Sequence, residues 1–327
     1  MSEWINRFGV KQKIPSWIKW EGTPIISFMI VTIWAQTIGA RDHPAATSLI
    51  FVSTFIFALI IGYLYGKNKR VWCRHLCPIG LLLGVYSRLG IFQIYPKKKR
   101  ERLTRYSEKG ICPTLIDLPS KDESRHCIAC TKCLNPTAKG GMKLLLRRPG
   151  EEIEAIAENN PNLSELVFLF LGSGMALGGI LWIILPEYQI FRQELGIWFL
   201  IQGFDWIGQV GPSWLVSVHP EDREVFIWLD FVAISSFMIL TSLVMAIVMS
   251  LSTLLSAWLL LTISPTKERV KMLFLKLGYQ FMPLCMAGLL LGLGTEMFSI
   301  LSLLGLSDVA ITNIRTTLLV LSAFWSG

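Results

Sequence analysis

Histidine is scarce in this chain of 327 residues: there are four, none lies in the middle of a long apolar run, and none follows a Cys-x-x-Cys pair. That argues against haem. Charge is thin as well, at 17% of residues against 52% apolar, where soluble domains carry about 25% charged. The apolar residues form long uninterrupted runs, so the chain is read as a membrane protein with lipid as its surroundings. No nucleic-acid motif occurs. The net charge of +8 is gathered in a few short segments, which in a membrane protein report orientation. Carboxylates and imidazoles are few in the apolar runs after residue 165, which argues against an ion path there. Seven cysteines are present, six of them clustered beside Lys/Arg-rich sequence. Such sequence marks the reducing cytoplasmic side, where thiolate ligands form in preference to disulfides.

What is there follows the membrane pattern. Trp4, Trp17 and Trp20 are mixed with Arg7, Lys11, Lys13 and Lys19, as in a cytoplasmic interfacial segment. Spans are expected at 24–40 and 46–66. The first reads as an anchor, since no small-residue cleavage site precedes Arg41. Ile79 to Tyr95 is apolar around Arg88 and reads as a surface or half-buried helix, because a crossing would place Arg88 near the midplane. Lys97 to Arg105 is a positive-inside anchor suited to anionic headgroups. Further spans are expected at 166–185, 225–264, 283–305 and 309–325. The acid-rich stretch Glu187 to Glu224 then lies outside, with Trp198, Trp206, Trp214 and His219 at the interface. Glu296 and Arg315 fall inside spans, where a charge needs a partner. They pair either as a quinol or proton site or as one structural ion pair. Cys285 stands alone as a small core residue.

The cysteines carry the chemistry. Cys127, Cys130 and Cys133 recur at three-residue steps, which lets a tight loop set three thiolates on one face of an iron–sulfur cube while its amides bond the sulfurs. In two-cluster ferredoxins a fourth cysteine follows locally and is succeeded by Pro. Here that place holds Thr137, while Cys77-Pro78 and Cys112-Pro113 stand farther off. One [4Fe–4S] cluster on Cys127, Cys130 and Cys133, closed by Cys112 or Cys77, is the minimal expectation. A second cluster on Cys73 and Cys77 needs shared or non-cysteine ligands, with His75, His126 and Asp117 as candidates. Zinc uses the same thiolates but favours two separated Cys-x2-Cys knuckles. A radical-enzyme Cys-x3-Cys motif wants another cysteine where Gly80 stands.

RVWCRHLCPIGLLLGVYSRLG resembles the Cys-Arg-x-x-Cys-Pro-x-Gly signature of the membrane-bound polyferredoxins of the NapH and NosR type, and CIACTKC resembles their ferredoxin half. The likeness covers about residues 45 to 145. It implies an electron-transfer protein of the bacterial inner membrane with cytoplasmic clusters, Cys73 and Cys77 matching the first motif and Cys127, Cys130 and Cys133 the second. Similar proteins occur in bacterial ferrous-iron uptake systems. The flavin-bearing domain of larger relatives is absent.

The expected architecture is mainly α: a polytopic membrane protein with about six transmembrane helices and a small cytoplasmic ferredoxin-like segment. It divides into two helices in 1–66, a cysteine-rich region in 67–165 and the remaining helices in 166–327. The expected role is one-electron transfer between the cytoplasmic face or the quinone pool and a redox partner in the membrane or periplasm. The competing role is an accessory subunit for metal uptake or metalloenzyme assembly, with a structural or regulatory cluster.

Overall fold

The computed structural model describes residues 5, 8–65, 70–97, 112, 114, 116, 118, 121–127, 129–134, 142–222, 224–263, 269–293, 295–303 and 305–326. Asp117, Thr137 and most of the basic run after Lys97 lie outside the described residues, as does the side chain of Glu296. In chain order the helices begin with α1 (Ser16–Lys19), α2 (Thr23–Thr37), α3 (Pro44–Leu64), α4 (Val71–His75) and α5 (Pro78–Tyr86). Strands β1 (Phe92–Pro96) and β2 (Met142–Leu146) flank the cysteine-rich stretch, and α6 (Glu151–Glu154), α7 (Leu163–Ile184) and α8 (Pro186–Ile201) follow. Strands β3 (Val218–His219) and β4 (Glu224–Val225) precede α9 (Trp228–Ile263), α10 (Val270–Gln280), α11 (Met282–Leu293), α12 (Thr295–Leu303) and α13 (Asp308–Ser326). The protein is mainly α.

Among the described residues five helical stretches are long and apolar enough to cross a membrane: α3, α7, α9, Val270–Leu291 and α13. A sixth apolar helix, α2, is shorter. Proline opens α2 and α3 within their first turn, where its missing N–H removes no helical bond. Phe51, Phe55, Leu251 and Leu255 stay exposed; on helices of this length such residues form the lipid-facing surface. The 36 residues of α9 run unbroken, as expected for 225–264, and reach about 54 Å, well beyond a bilayer's hydrocarbon core of about 30 Å.

One expectation needs correction. The apolar stretch expected as one helix from Ile79 to Tyr95 stops at Tyr86, passes through a 3-10 turn at Ser87–Leu89 and becomes β1. Gly90 takes an extended conformation at that stop, and Phe92, Ile94 and Tyr95 suit a strand paired with β2. Arg88 is fully buried, so the charge meets acids and not the surface. The span expected at 283–305 falls on α11 and α12, with residue 294 between them outside the described residues, and the stretch of crossing length among the described residues is Val270–Leu291, Lys271 and Lys276 included. Pro283 falls in the first turn of α11, where it does not break the helix.

The chain forms two compact units. The first holds residues 1–81, 113–115 and 174–245. Its core packs Met175, Tyr188, Ala233, Ile234 and Met238, with Phe28, Trp182 and Phe237 against them. Arg192, within α8, pairs at 2.5 Å with Asp230 in the first turn of α9, and Asp230 also accepts from the Ile227 amide at the start of α9. The His43 and His219 rings stack at 3.6 Å, and Glu224 lies 3.2 Å from His43; these contacts tie the β3–β4 hairpin to the start of α3.

Small residues let helices in this unit pack closely. A Cβ on Gly174 would stand 2.7 Å from Ser242 Cα and 2.9 Å from the Thr241 carbonyl oxygen, and neither backbone atom can step aside alone. Gly174→Ala is therefore expected to cost about 1–3 kcal/mol as overpacking. The measurement is thermal unfolding in detergent beside Gly208→Ala, which meets open space.

The second unit holds residues 82–112, 116–173 and 246–327. Its sheet pairs β1 with β2 antiparallel, Pro96 opposite Met142 at one end and Phe92 opposite Leu146 at the other. The ladder pins both ends of the cysteine-bearing excursion. Gly278 accepts the Leu166 side chain closely, seating α7 against α10.

Candidate iron–sulfur site

Cys73 lies in the short helix α4 and Cys77 just before α5, both half-buried in the first unit. Two amide bonds to the Trp72 carbonyl, from Leu76 and Cys77, close the turn between them. Pro78 then starts α5, which sets Cys77 just ahead of a helix N-terminus. The Gly80 amide donates to Cys77 Sγ at 3.3 Å, the kind of bond that tunes a cluster sulfur. A Cβ at Gly80 would lie 2.6 Å from the Cys73 carbonyl oxygen, so glycine here lets the two cysteine turns approach. Burial raises the Cys73 thiol, with Cys77 adding to it. Burial, then Arg74 and Lys19, lowers His75 to about 4, which leaves its imidazole neutral near pH 7.

In the second unit Cys112 and Cys133 are buried in one cluster with Ile94, Leu118 and Met142, and Cys127, Ile116 and Leu134 pack against it. Cys130 is exposed. Burial raises the Cys133 thiol, and Cys127, Cys130 and Cys112 add to the rise. Cys133 therefore stands within electrostatic reach of the other three sulfurs, and a bound cationic metal centre would relieve that repulsion. The loop backbone is unusual. His126, Ala129 and Thr131 all have positive φ, at 63°, 48° and 58°, although none is glycine, a strain of roughly 1–3 kcal/mol each. Left-handed residues alternating with others turn successive amides inward as an anion-binding concavity, the form found at many iron–sulfur sites. The residues present thus fit a cluster: thiols gathered around a strained loop shaped for a negative group. Among the described residues no three His, Cys, Asp or Glu side chains gather around a single ion; a cube spreads its thiolates over separate irons and asks for a wider cage.

A second feature was only half legible from sequence. Arg88 is held by Glu165 at 2.8 Å, Glu152 at 2.9 Å and Glu123 at 3.0 Å, and it donates to the Asn159 and Asn160 carbonyls. Burial would lower its pKa, but Glu165, Tyr279 and Glu152 outweigh that and raise it. Arg125 pairs with Glu165 at 2.8 Å, Arg147 pairs with Glu152, and the Tyr279 hydroxyl donates to Glu165 at 2.5 Å. The network reaches the cysteine loop directly. Glu152 accepts from the Ser124 amide at 3.0 Å, and the Ser124 carbonyl in turn receives the Cys127 amide at 3.0 Å. An arginine isolated in an apolar stretch was its one signal; the partners come from 35 to 77 residues away.

Arg315, expected inside a span, is placed differently. Arg315 donates to the Leu291 carbonyl at 3.2 Å and lies over the Phe298 ring, so a backbone oxygen and an aromatic face receive it.

Helices of membrane-crossing length and a ferredoxin-type thiol loop define a membrane-associated iron–sulfur protein. A family model described as a 4Fe-4S binding domain matches residues 48–100, a segment containing Cys73 and Cys77 and ending before Cys112. The chain is 26% identical to the ferredoxin-type protein NapH of Haemophilus influenzae over 37% of its length and 46% of that protein's. It is 31% identical to the methylamine utilization ferredoxin-type protein MauN of Methylobacillus flagellatus over 24% and 23%. An uncharacterized protein of Methanocaldococcus jannaschii is 25% identical over 35% of this chain and 44% of its own. The chain thus spans less than half the length of these relatives, and no solved structure matches it. Over these segments the chain is similar to membrane-associated ferredoxin-type proteins, and the matched 4Fe-4S model supports a 4Fe–4S cluster as its class of cofactor.

Proposed function

We propose that this chain is a membrane-bound electron carrier, passing electrons between the cytoplasmic face or the quinone pool and a redox partner in the membrane or periplasm. The observation that carries the reading is the gathering of Cys112, Cys127 and Cys133 in one buried cluster, with Cys130 in reach, beneath a loop of left-handed residues. Cys127, Cys130 and Cys133 would hold one [4Fe–4S] cluster with Cys112 as the fourth ligand. Cys73 and Cys77, inside the matched segment, would hold part of a second centre, with His75 neutral beside them. Such a cube stores one electron at a time. The chain's residues supply the rest: burial, amide donors such as Gly80, and the Arg–Glu network that keeps the loop's backbone in place. The Lys/Arg-rich sequence around the cysteine region in 67–165 favours the cytoplasmic side of a bacterial inner membrane. The names of the relatives favour a redox partner, and quinol is the membrane's own electron source.

Anaerobic purification followed by iron and sulfide analysis, EPR and redox titration tests the reading. The expected result is iron and acid-labile sulfide in similar amounts and an EPR signal that appears on reduction, with Cys112→Ala losing one cluster. Zinc in place of iron, or a cluster silent to reductants, would overturn it in favour of a structural or regulatory role.

A further inference from the structure

The three acids around Arg88 are not equivalent. Glu165 is sealed from solvent, accepts from Arg88 and from the Tyr279 hydroxyl, and is ion-paired with Arg125. Glu152 is equally sealed and accepts from Arg88, Arg147 and the Ser124 amide. Removing either charge would strand two arginines. Among the described residues Glu123 takes its bonds on Oε2, from Arg88 at 3.0 Å and Asn160 at 3.3 Å, and its side chain is 22% exposed. It can exchange a proton with water while the rest of the network stays shut. It also stands four residues before Cys127, so the chain holds the two Cα atoms within about 14 Å, and the Cys127-to-Ser124 bond draws them closer. Between partly buried groups at that range charge interactions are screened far less than at the surface.

We propose that Glu123 takes up a proton when the centre on the Cys127 loop gains an electron, so that electron arrival on this unit is coupled to proton uptake. The inference rests on the electron-carrier reading above and adds a residue to it. A one-electron donor of low potential supplies the electron, and water supplies the proton. The only bond formed is O–H on the Glu123 carboxyl, and its ion pair with Arg88 becomes a hydrogen bond from a cation to a neutral acid. The added positive charge offsets the added negative one. Facing Glu123 are Arg88 from the turn after α5, Arg125 from its own loop, Asn160 from the turn before α7, and Glu165 from α7. Burial already raises the Glu123 carboxyl above its ordinary range, against the pull of Arg88, and an electron nearby raises it further.

The midpoint potential then falls as pH rises between the carboxyl's pKa in the oxidised and reduced states. The slope approaches about 59 mV per pH unit, the value of a tenfold change for one electron. The test is a redox titration of the anaerobically purified full chain at a series of pH values, followed by EPR, with Glu123→Gln and Asp122→Asn alongside. Redox-difference infrared spectra should also show a protonated carboxyl band on reduction that Glu123→Gln lacks. The expected result is a sloping midpoint in the parent chain and in Asp122→Asn, and a flat one in Glu123→Gln. A flat midpoint in the parent chain, or an unchanged slope in Glu123→Gln, would overturn the coupling while leaving the carrier reading intact. A chain without iron and sulfide would remove both.

Discussion

Replacing Cys133 by alanine is expected to strip the chain of the iron and sulfide of one cluster and of the matching EPR signal. Cys285→Ala should leave both unchanged. The contrast follows from surroundings, since both thiols are buried and free. Cys133 lies in a 3-10 turn against Cys112 and Cys127, within a loop that carries left-handed residues His126, Ala129 and Thr131. Cys285 sits in α11, a helix of apolar residues. The strain of that loop is stable only while something over-determines it. Losing one thiolate should therefore also make the 121–134 stretch more open to protease, a readout independent of iron. Full iron in Cys133→Ala would contradict the ligand assignment.

The second large effect is expected at Arg88. Arg88→Met keeps a long apolar stem but leaves Glu152 and Glu165 sealed in the unit with too few cations. Removing one partner from a buried ion group costs roughly 3–5 kcal/mol, a large share of the 5–15 kcal/mol that separates folded from unfolded domains. The expected outcome is loss of most folded protein from the membrane fraction, or a steep fall in melting temperature in detergent. Arg88→Lys restores the charge but not the fork that meets Glu165 and Glu152 together, so it should fall between. A melting temperature in Arg88→Met close to that of the parent chain would show that the network adds little. The effect should spread to the cysteine loop, because Glu152 holds the Ser124 amide and Arg125, paired with Glu165, stands two residues before Cys127.

Much of the molecule is written locally. The apolar runs at 46–66, 166–185 and 225–264 are close to α3, α7 and α9, because a bilayer demands length and hydrophobicity and little else. The three-residue steps of Cys127, Cys130 and Cys133 point to a loop ligand by the same local logic. The strand β1 was hidden because a short apolar stretch has no period that separates helix from strand. Its partner β2 lies about fifty residues on.

The amino-acid order alone determined a helical membrane protein, the identity of the six clustered cysteines and the class of centre they suit. Spacing along the chain sets those features, and they need no distant partner. Only the tertiary structure decided that Cys112 shares a buried cluster with Cys127 and Cys133 and that Arg88 is satisfied by acids up to 77 residues away. It also decided that Glu123 is the acid of that network left partly open to water. Such pairings are matters of burial and distance in space, which appear only once the chain has closed on itself.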